Sequence, residues 1–236
     1  MLYETIFSRK SVRKYTKDDI EENVLNKIKG FIDNVIPLFE HVGYEIKILG
    51  KGEVTNNWAP RYIAIYSEKK NGYLLNAGYL LQQVDLYVQS IGLGSSWIGL
   101  ARPHPTKNKY GFIIMLSVGY PLEDKKRELG EFKRKELKEI TNFEDAEIME
   151  PVRLAPSADN SQPWYYLKTN ESIDLYRNKK GFHALALNHW NQLDMGISLL
   201  HFELSLRHHN KKFEYFKKLS VEKLNGFEYV LSVKIH

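Results

Sequence analysis

Apolar residues follow two different periods along the chain, and the alternation of these periods predicts an α+β protein. Two stretches carry apolar residues three and four positions apart, which is the spacing of one helical face. Two others alternate apolar and polar residues like half-buried strands, and two more are runs that begin with Phe and end in Leu-Ser-Val. The pairs are 80–91 and 193–204, 44–48 and 164–168, and 112–118 and 227–233.

These elements occur in the same order in both halves, which predicts a diverged internal duplication. Each half reads as helix, strand, strand, long helix, strand, which suits a three-layer arrangement of a mixed sheet covered by helices. Each also begins with a basic cluster and then a Thr with an acidic residue three positions on, the spacing of a helix capping box (Thr16 with Asp19, Thr141 with Glu144). We therefore expect one domain made of two interleaved pseudo-repeats. The expected repeats are residues 1–125 and 126–236.

The composition is typical of a globular protein and excludes several kinds of site. The chain has 236 residues, 43% of them hydrophobic, with 15 Tyr, 11 Phe and 4 Trp. It has no cysteine, which excludes disulfides, thiolate metal sites, cysteine nucleophiles and iron–sulfur clusters. No apolar run reaches the ~18 residues of a membrane-spanning helix. The acidic start of the chain does not match a secretory signal, so we expect a cytoplasmic protein.

The net charge of +5 is compatible with nucleic acid, anionic lipid or one small polyanionic ligand as a partner. Two basic runs, 125–127 and 133–135, are flanked by acidic residues, a pattern typical of solvated surface. Residues 213–218 interleave aromatic and basic side chains, which can stack on bases, but this alternation is also typical of a half-buried strand. Because no nucleic-acid-binding signature accompanies it, we expect a small-molecule substrate and neither a nucleic-acid nor a membrane partner.

The segment Ser8–Tyr15 is the first of three that could bind a ligand. Its cations Arg9, Lys10 and Arg13 surround Ser11, and guanidinium groups combined with hydroxyls suit a phosphate. A basic surface turn would have the same sequence pattern.

The second segment, Gly92–Leu100, follows the long helix of the first half. Gly92 is placed as a left-handed cap of that helix, and the remainder reads as a turn and a buried strand that needs no ligand. The three glycines around Trp97 would also allow backbone amides to approach a flat ligand. Because the glycines follow a helix, this is not a dinucleotide-binding fingerprint.

The third segment, Ala155–Trp164, has two prolines around a run of short polar residues, between the end of a helix and the start of a strand. This pattern fits a polar binding loop and fits ordinary turn chemistry equally well. The eight histidines show no metal-ligand spacing, so no metal site is predicted, and no catalytic triad is visible. If the protein is an enzyme, a bound cofactor would therefore supply the chemistry.

Together these segments resemble the nitroreductase family of FMN-dependent flavin reductases. Residues 155–164 match its Ala-Pro-Ser-x-x-Asn-x-Gln-Pro-Trp signature, and residues 9–13 resemble its opening Arg-Arg-Ser-x-Arg. Residues 92–99 resemble its Gly-Leu-Gly-x-x-Trp-x-Gly segment, and 119–121 with 133–137 resemble its Gly-Tyr-Pro and Lys/Arg-rich ending. The resemblance covers nearly the whole chain and implies the three-layer α/β/α nitroreductase fold with a mixed, mostly antiparallel sheet.

The order of the segments departs from the family pattern, because the Pro-Ser-x-x-Asn signature follows the Gly-Leu-Gly segment instead of preceding it. The internal duplication accounts for this difference. Family members are homodimers with flavin sites at the subunit interface, so this chain resembles a fused dimer that keeps one intact site. Its first half would supply the phosphate cluster and the Gly-Leu-Gly segment, and its second half the signature. We expect a monomeric pseudo-dimer or a weak homodimer.

The resemblance implies a role for each matching residue. The phosphate and ribityl chain of FMN would be held by Arg9, Ser11, Arg13, Lys133 and Lys135, and by the side chain or backbone of Lys10. The flavin ring and ribityl chain would be lined by Pro156, Ser157, Ala158 and Asn160, and by backbone amides near Trp97, Ile98, Gly99 and Leu100. Gln162 fits the signature and would act behind the residues that touch the flavin.

The implied function is that of an FMN-dependent oxidoreductase. NADH or NADPH would give hydride to the flavin, and an electron-poor acceptor such as a nitroaromatic or quinone would then take it, in a ping-pong scheme without a side-chain nucleophile. The alternative is a nitroreductase scaffold that has lost flavin and acts as a binding or structural protein, a loss for which the degenerate second site is a precedent.

Overall fold

Strands rich in β-branched and aromatic residues form one antiparallel sheet in each half of the chain. The computed structural model describes residues 1–55, 58–123 and 127–236. The chain divides into two compact units, which we call unit 1 (Met1–Glu131) and unit 2 (Phe132–His236). The division lies a few residues beyond the boundary expected after residue 125.

Unit 1 is built on a four-stranded antiparallel sheet with the order β1-β2-β4-β3. Its strands are β1 (Tyr44–Gly50), β2 (Arg61–Ser67), β3 (Gly94–Ile98) and β4 (Gly111–Gly119). Its helices are α1 (Leu2–Ile6), α2 (Glu22–Ile32) and α3 (Tyr73–Ser90), with 3-10 turns at Lys51–Glu53 and Leu129–Glu131. The helix α3 confirms the helix expected from the apolar spacing, and it is buried along almost its whole length, polar positions included.

Unit 2 repeats this arrangement with the strand order β5-β6-β8-β7. Its strands are β5 (Trp164–Lys168), β6 (Ile173–Asn178), β7 (Phe213–Phe216) and β8 (Phe227–Ile235). Its helices are α4 (Leu137–Ile140), α5 (Ala146–Arg153), α6 (Gly181–Ala186) and α7 (Asn188–His208), with a 3-10 turn at Ala158–Asn160. The long helix α7 is the counterpart of α3 and is buried over most of its length.

The two sheets share even a bulge. In both units the register between the second and the last strand shifts at the same place and leaves one extra residue in the last strand. Aligned on this bulge, Phe112 pairs with Tyr66 as Tyr229 pairs with Tyr176. The sequence match of Phe112 with Phe227 is therefore wrong by two positions, because the bulge, not the shared Phe, sets the register.

Two further expectations about the elements are wrong. Neither Thr16 nor Thr141 caps a helix: α2 begins after Glu21, and α5 begins after Asp145, whose carboxylate accepts the Ile148 N–H. The Thr141 hydroxyl instead donates to a carbonyl of β5. The expected order of elements also omits β3 and β7, the short strands at one edge of each sheet, although strands were among the interpretations given for 92–100 and 213–218.

Helices and antiparallel sheets in both units confirm the α+β class. Every strand pair is antiparallel, and in the described parts of the chain the parallel pairing consists of the isolated bridges Ser11–Ser95 and Thr141–Tyr166. Within the part of the chain that the structure describes, none of the helices combines the length and the hydropathy of a transmembrane segment.

Candidate functional site

In unit 1, the basic segment 9–15 lies against the edge strand β3. Ser11 and Ser95 form a parallel bridge, and the Val12 N–H donates to the Ser95 carbonyl at 2.8 Å. Gly94 makes this close approach possible, because a Cβ there would lie 2.7 Å from Cγ1 of Val12. The segment is therefore fixed by the sheet rather than free on the surface.

A buried charge pair anchors the start of this segment. The Arg9 and Asp85 side chains are 1% and 0% exposed, and Arg9 Nε lies 2.8 Å from Asp85 Oδ2, as a charge contact without the alignment of a hydrogen bond. Asp85 Oδ1 accepts the Ser95 hydroxyl at 2.5 Å. Gln89 donates to the same hydroxyl and accepts the Lys10 N–H at 3.0 Å. These bonds tie the segment to α3 as well as to β3.

Arg9 also belongs to a local excess of positive charge. Its Nη2 atom is buried and has no hydrogen-bond acceptor within the described ranges. Burial and the neighbouring Arg9 charge lower the pKa of the Arg127 guanidinium, whose backbone N–H donates to the Ser8 carbonyl at 3.3 Å. Two guanidinium groups close together favour an anion between or beside them.

Sequence reasoning missed Arg127 as a site residue, because its acid-flanked basic run is typical of solvated surface. The predicted phosphate residues of unit 1 become more exposed along the segment. Arg9 is buried, Lys10 and Ser11 are half-buried, and Arg13 is exposed. Lys125 and Lys126 of the same basic run lie outside the described residues.

The Gly-Leu-Gly segment ends in an exposed turn. Gly92 follows the last turn of α3 with φ of +89°, which confirms its assignment as a left-handed cap. Trp97 donates its indole N–H to a glutamine of α3 at 3.2 Å, and Ile98 is buried. The Gly99 carbonyl accepts a guanidinium N–H from the following turn at 2.8 Å, while Leu100 is 85% exposed. The segment therefore exposes the Leu100 side chain and leaves Trp97 half-buried.

In unit 2, the signature segment forms a loop with a strained backbone. Asp159, Asn160 and Gln162 have φ values of 50°, 52° and 44°, left-handed conformations that side chains rarely adopt. Elsewhere in the described chain, Asn210 is the one other non-glycine residue with positive φ. Such strain persists where surrounding contacts over-determine it, and it concentrates at binding sites. This observation favours a built binding loop over ordinary turn chemistry.

The basic run of the predicted phosphate cluster is bonded to this loop from one side. The Asn160 side-chain amide donates to the Lys133 carbonyl at 2.8 Å, and its oxygen accepts the Arg134 guanidinium. Lys135 donates its N–H and its ammonium group to the side-chain and backbone oxygens of Gln162, each at 2.9 Å. Burial lowers the pKa of the Lys135 ammonium group. Asn160 and Lys135 thus join the two segments, while the Lys133 side chain is exposed.

The helix α7 holds the same loop from the other side through Asp194. Both carboxylate oxygens lie 3.2 Å from the Ala158 nitrogen, and the side chain is 3% exposed. Burial raises the pKa of Asp194 well above its ordinary value, and the hydrogen bond from Ala158 acts in the opposite direction. Across the loop, the Gln162 N–H donates to the Ser157 hydroxyl at 2.9 Å. Sequence reasoning missed Asp194, although an acid beside the apolar stripe of α7 was a visible signal.

The predicted site residues therefore form two clusters, each within its own unit. Unit 1 brings Arg9 and Ser8 close to Arg127 and holds the following residues of the basic segment against β3. Unit 2 brings Lys133 and Lys135 together with the signature loop, in which Pro156 is buried and Ser157 and Ala158 are half-buried.

Solved structures of nitroreductases have similar folds. A putative nitroreductase from Thermotoga maritima aligns with a TM-score of 0.67 and 21% identity, over 99% of this chain and 92% of its own. A nitroreductase family protein from Clostridium difficile aligns with a TM-score of 0.50 and 19% identity, over 60% of this chain and 97% of its own. At these identities the likeness concerns the fold, and it confirms the nitroreductase fold expected from the sequence.

Comparison of sequences gives the family. A search of curated protein sequences finds no significant match. Residues 1–206 match the protein family described as Putative TM nitroreductase. Since this match spans most of the chain, the protein belongs to that nitroreductase family.

Proposed function

We propose that the protein is an FMN-dependent oxidoreductase that takes hydride from NADH or NADPH. Family membership supports a flavin-dependent activity in general. The observation that carries the proposal is the strained loop 157–162, which is held on two sides by hydrogen bonds and coincides with the family signature. Backbone strain of this kind clusters at binding sites, which favours a flavin site over a flavin-free scaffold.

The residues present suit the phosphate of FMN. The buried Nη2 of Arg9 lacks an acceptor in the described chain, and a phosphate oxygen would satisfy it. Arg127 stands beside it, and Lys10, Ser11 and Arg13 continue the same segment. Such a cluster neutralises a phosphate that is close to doubly charged. For unit 2, the resemblance to the family assigns flavin contacts to Lys133 and to the loop Pro156–Asn160.

Bound FMN would supply the redox chemistry, accepting hydride and then passing it to an electron-poor acceptor such as a nitroaromatic or a quinone. The chain itself would bind and orient. The rigid loop would fix the hydrogen-bonding groups that face the flavin, and the exposed Leu100 would offer apolar contact to a flat substrate. No side-chain nucleophile is required. We further propose that the protein works in the cytoplasm, where NAD(P)H is supplied, as a monomer or a weak homodimer.

The first test is the flavin content of the purified protein. We expect visible flavin absorbance, or binding of added FMN, at one FMN per chain. The double variant Arg13→Ala with Asn160→Ala should abolish flavin retention, whereas a control that removes an exposed cation and an exposed amide elsewhere, Lys107→Ala with Asn170→Ala, should keep it. If the wild-type protein shows no flavin and binds no added FMN, the flavin-free scaffold is correct instead.

Steady-state kinetics then test the reaction. With NADH or NADPH as donor and a nitroaromatic or quinone as acceptor, double-reciprocal plots at several acceptor concentrations should be parallel, because one product leaves before the second substrate binds. Intersecting lines would contradict the ping-pong scheme and leave the cofactor assignment intact.

A further inference from the structure

Each long helix forms hydrogen bonds to the segment that precedes the first strand of its unit, and the bonding residues occupy corresponding positions in α3 and α7. In unit 1, Asn76 of α3 accepts the Phe39 N–H at 3.0 Å. Seven residues later, Gln83 accepts the Ile36 N–H at 3.2 Å and donates to the Ile36 carbonyl at 2.8 Å. Seven residues are about two helical turns, so both side chains lie on one face of α3.

The helix α7 makes the same two attachments with different chemistry. Asp194 accepts the Ala158 N–H, and seven residues later His201 lies with Nδ1 2.8 Å from the Pro151 carbonyl oxygen. The position of Asn76 in unit 1 is therefore taken by Asp194 in unit 2. A neutral amide is sufficient to accept a backbone N–H at this place, yet unit 2 buries a carboxyl group there.

The segments that the two helices hold differ in their backbone conformation. None of the described residues 33–43 has a positive φ, whereas the loop of unit 2 has three within four positions, directly after Ala158. The Asp194 carboxyl group places both of its oxygens 3.2 Å from the Ala158 nitrogen, whereas Asn76 accepts the Phe39 N–H with its single amide oxygen. The acceptor with two oxygens thus sits where the backbone is most strained.

We propose that Asp194 is a positioning residue of the FMN site, which fixes the Ala158 N–H and thereby the left-handed conformation of Asp159 and Asn160. This inference rests on the proposed function. Asp194 acts through the loop rather than through contact with the flavin. Its counterpart Asn76 has no such role, because the segment that Asn76 holds carries no part of the signature.

The test compares the two counterpart positions. Asp194→Leu should weaken FMN binding at least ~10-fold in a flavin-fluorescence titration, as expected for loss of a buried hydrogen bond that shapes the site. Asp194→Asn should restore the affinity to within about threefold, because the amide can accept the same N–H. Asn76→Leu removes an equally buried acceptor from unit 1 and should keep wild-type FMN affinity, whatever it does to stability.

A second variant removes the donor instead of the acceptor. Ser157 has φ of −147° and ψ of 160°, a conformation compatible with a following proline, and Ala158 opens the 3-10 turn. Ala158→Pro therefore deletes the N–H that Asp194 accepts and should reduce FMN affinity as Asp194→Leu does. If Asp194→Leu does not fold, Ala158→Pro still tests whether the hydrogen bond between Ala158 and Asp194 supports FMN binding.

Hydrogen exchange of the flavin-free protein separates this inference from the proposed function. Amides 158–162 should exchange faster in Asp194→Leu than in the wild type, and no faster in Asn76→Leu. Wild-type FMN affinity and exchange in folded Asp194→Leu and in Ala158→Pro would overturn the inference. So would a failure of Asp194→Asn to rescue the leucine variant. A wild-type protein without FMN affinity would refute the proposed function, while the exchange data would still decide the role of Asp194.

Discussion

Each unit has a buried acidic residue on its long helix, and the two units pair this residue with a cation in different ways. Asp85 in α3 and Glu203 in α7 occupy corresponding positions, and each is followed four residues later by a side chain that bonds it. In unit 2 this side chain is Arg207, whose Nε lies 2.9 Å from Glu203 Oε1. In unit 1 it is the neutral Gln89, so the compensating cation is Arg9, from the start of the chain.

This difference shows how one residue of a helix can decide where a binding segment is held. A charge that is neutralised within its own helix needs no partner from elsewhere. Asp85 has no cation on α3, so it holds Arg9, and Arg9 brings the whole basic segment against β3. The same fold therefore carries an anchored basic segment in unit 1, where the helix leaves an acid unpaired.

The largest expected difference in stability comes from replacing Arg9 and Arg207 one at a time. Arg9→Met should lower the free energy of unfolding of the flavin-free protein by about 3–5 kcal/mol, because Asp85 is left buried and uncompensated. Arg207→Met should cost less, about 1–3 kcal/mol, because Arg207 itself is 60% exposed and the Tyr215 hydroxyl still donates to the largely buried Glu203. Urea unfolding followed by tryptophan fluorescence measures both values.

The control for this pair is the double variant Arg9→Met with Asp85→Leu. Replacing both partners of a buried ion pair by apolar residues removes the uncompensated charge, so much of the lost stability should return. Equal costs for the two single variants, or no recovery in the double variant, would contradict the role assigned to Asp85.

A smaller effect is expected from filling the contact between Gly94 and Val12. In Gly94→Ala the new Cβ would meet the β-branched Val12 side chain at 2.7–2.9 Å, and overpacking of this kind costs about 1–3 kcal/mol. Aligned on the bulge, the counterpart in unit 2 is the exposed Lys212, where Lys212→Ala should stay within about 0.5 kcal/mol. Thermal unfolding measures both, and FMN affinity should fall only in Gly94→Ala. Unchanged FMN affinity would mean that β3 does not position the basic segment.

Local patterns in the sequence account for a large part of this picture. Helical and strand periods depend on a few neighbouring residues, and they locate α3, α7 and the strands β1, β4, β5 and β8. The left-handed Gly92 follows from its position after α3. The signature at 155–164 is specific in spacing, and it locates the loop that the structure shows to be strained.

The remaining features depend on contacts that no local pattern encodes. Arg127 gains its significance from the nearby Arg9 charge, more than a hundred positions away in sequence. Asp194 gains its significance from Ala158, which approaches it only in the folded chain. The shared Phe of the two last strands misleads by two positions, because a bulge changes the register without a sequence signal. The Thr spacing selected the wrong residues, because the Asp145 carboxylate caps α5, and α2 begins after Glu21 without a side-chain cap bond.

The smallest expected difference concerns the hydroxyl groups that donate to the two acids. Ser95 donates to Asp85 at 2.5 Å, and Tyr215 donates to Glu203 at 2.7 Å. Ser95→Ala should cost about 1–3 kcal/mol, because a fully buried carboxylate loses its hydroxyl donor. Tyr215→Phe should cost about 0.5–1.5 kcal/mol, the range for an ordinary hydrogen bond, since Arg207 still bonds Glu203.

Urea unfolding of these two variants, and of Tyr215→Phe combined with Arg207→Met, separates the two donors of Glu203. If Arg207 partly compensates for the missing tyrosine hydroxyl, the free energy of unfolding should fall further in the double variant than the sum of the two single losses. The excess should be at least ~0.5 kcal/mol, as for residues that share a partner. Additive losses, or a Tyr215→Phe cost equal to that of Ser95→Ala, would show that the helix does not neutralise its own acid in unit 2. The contrast with Asp85, which depends on the distant Arg9, would then have to be explained by burial alone.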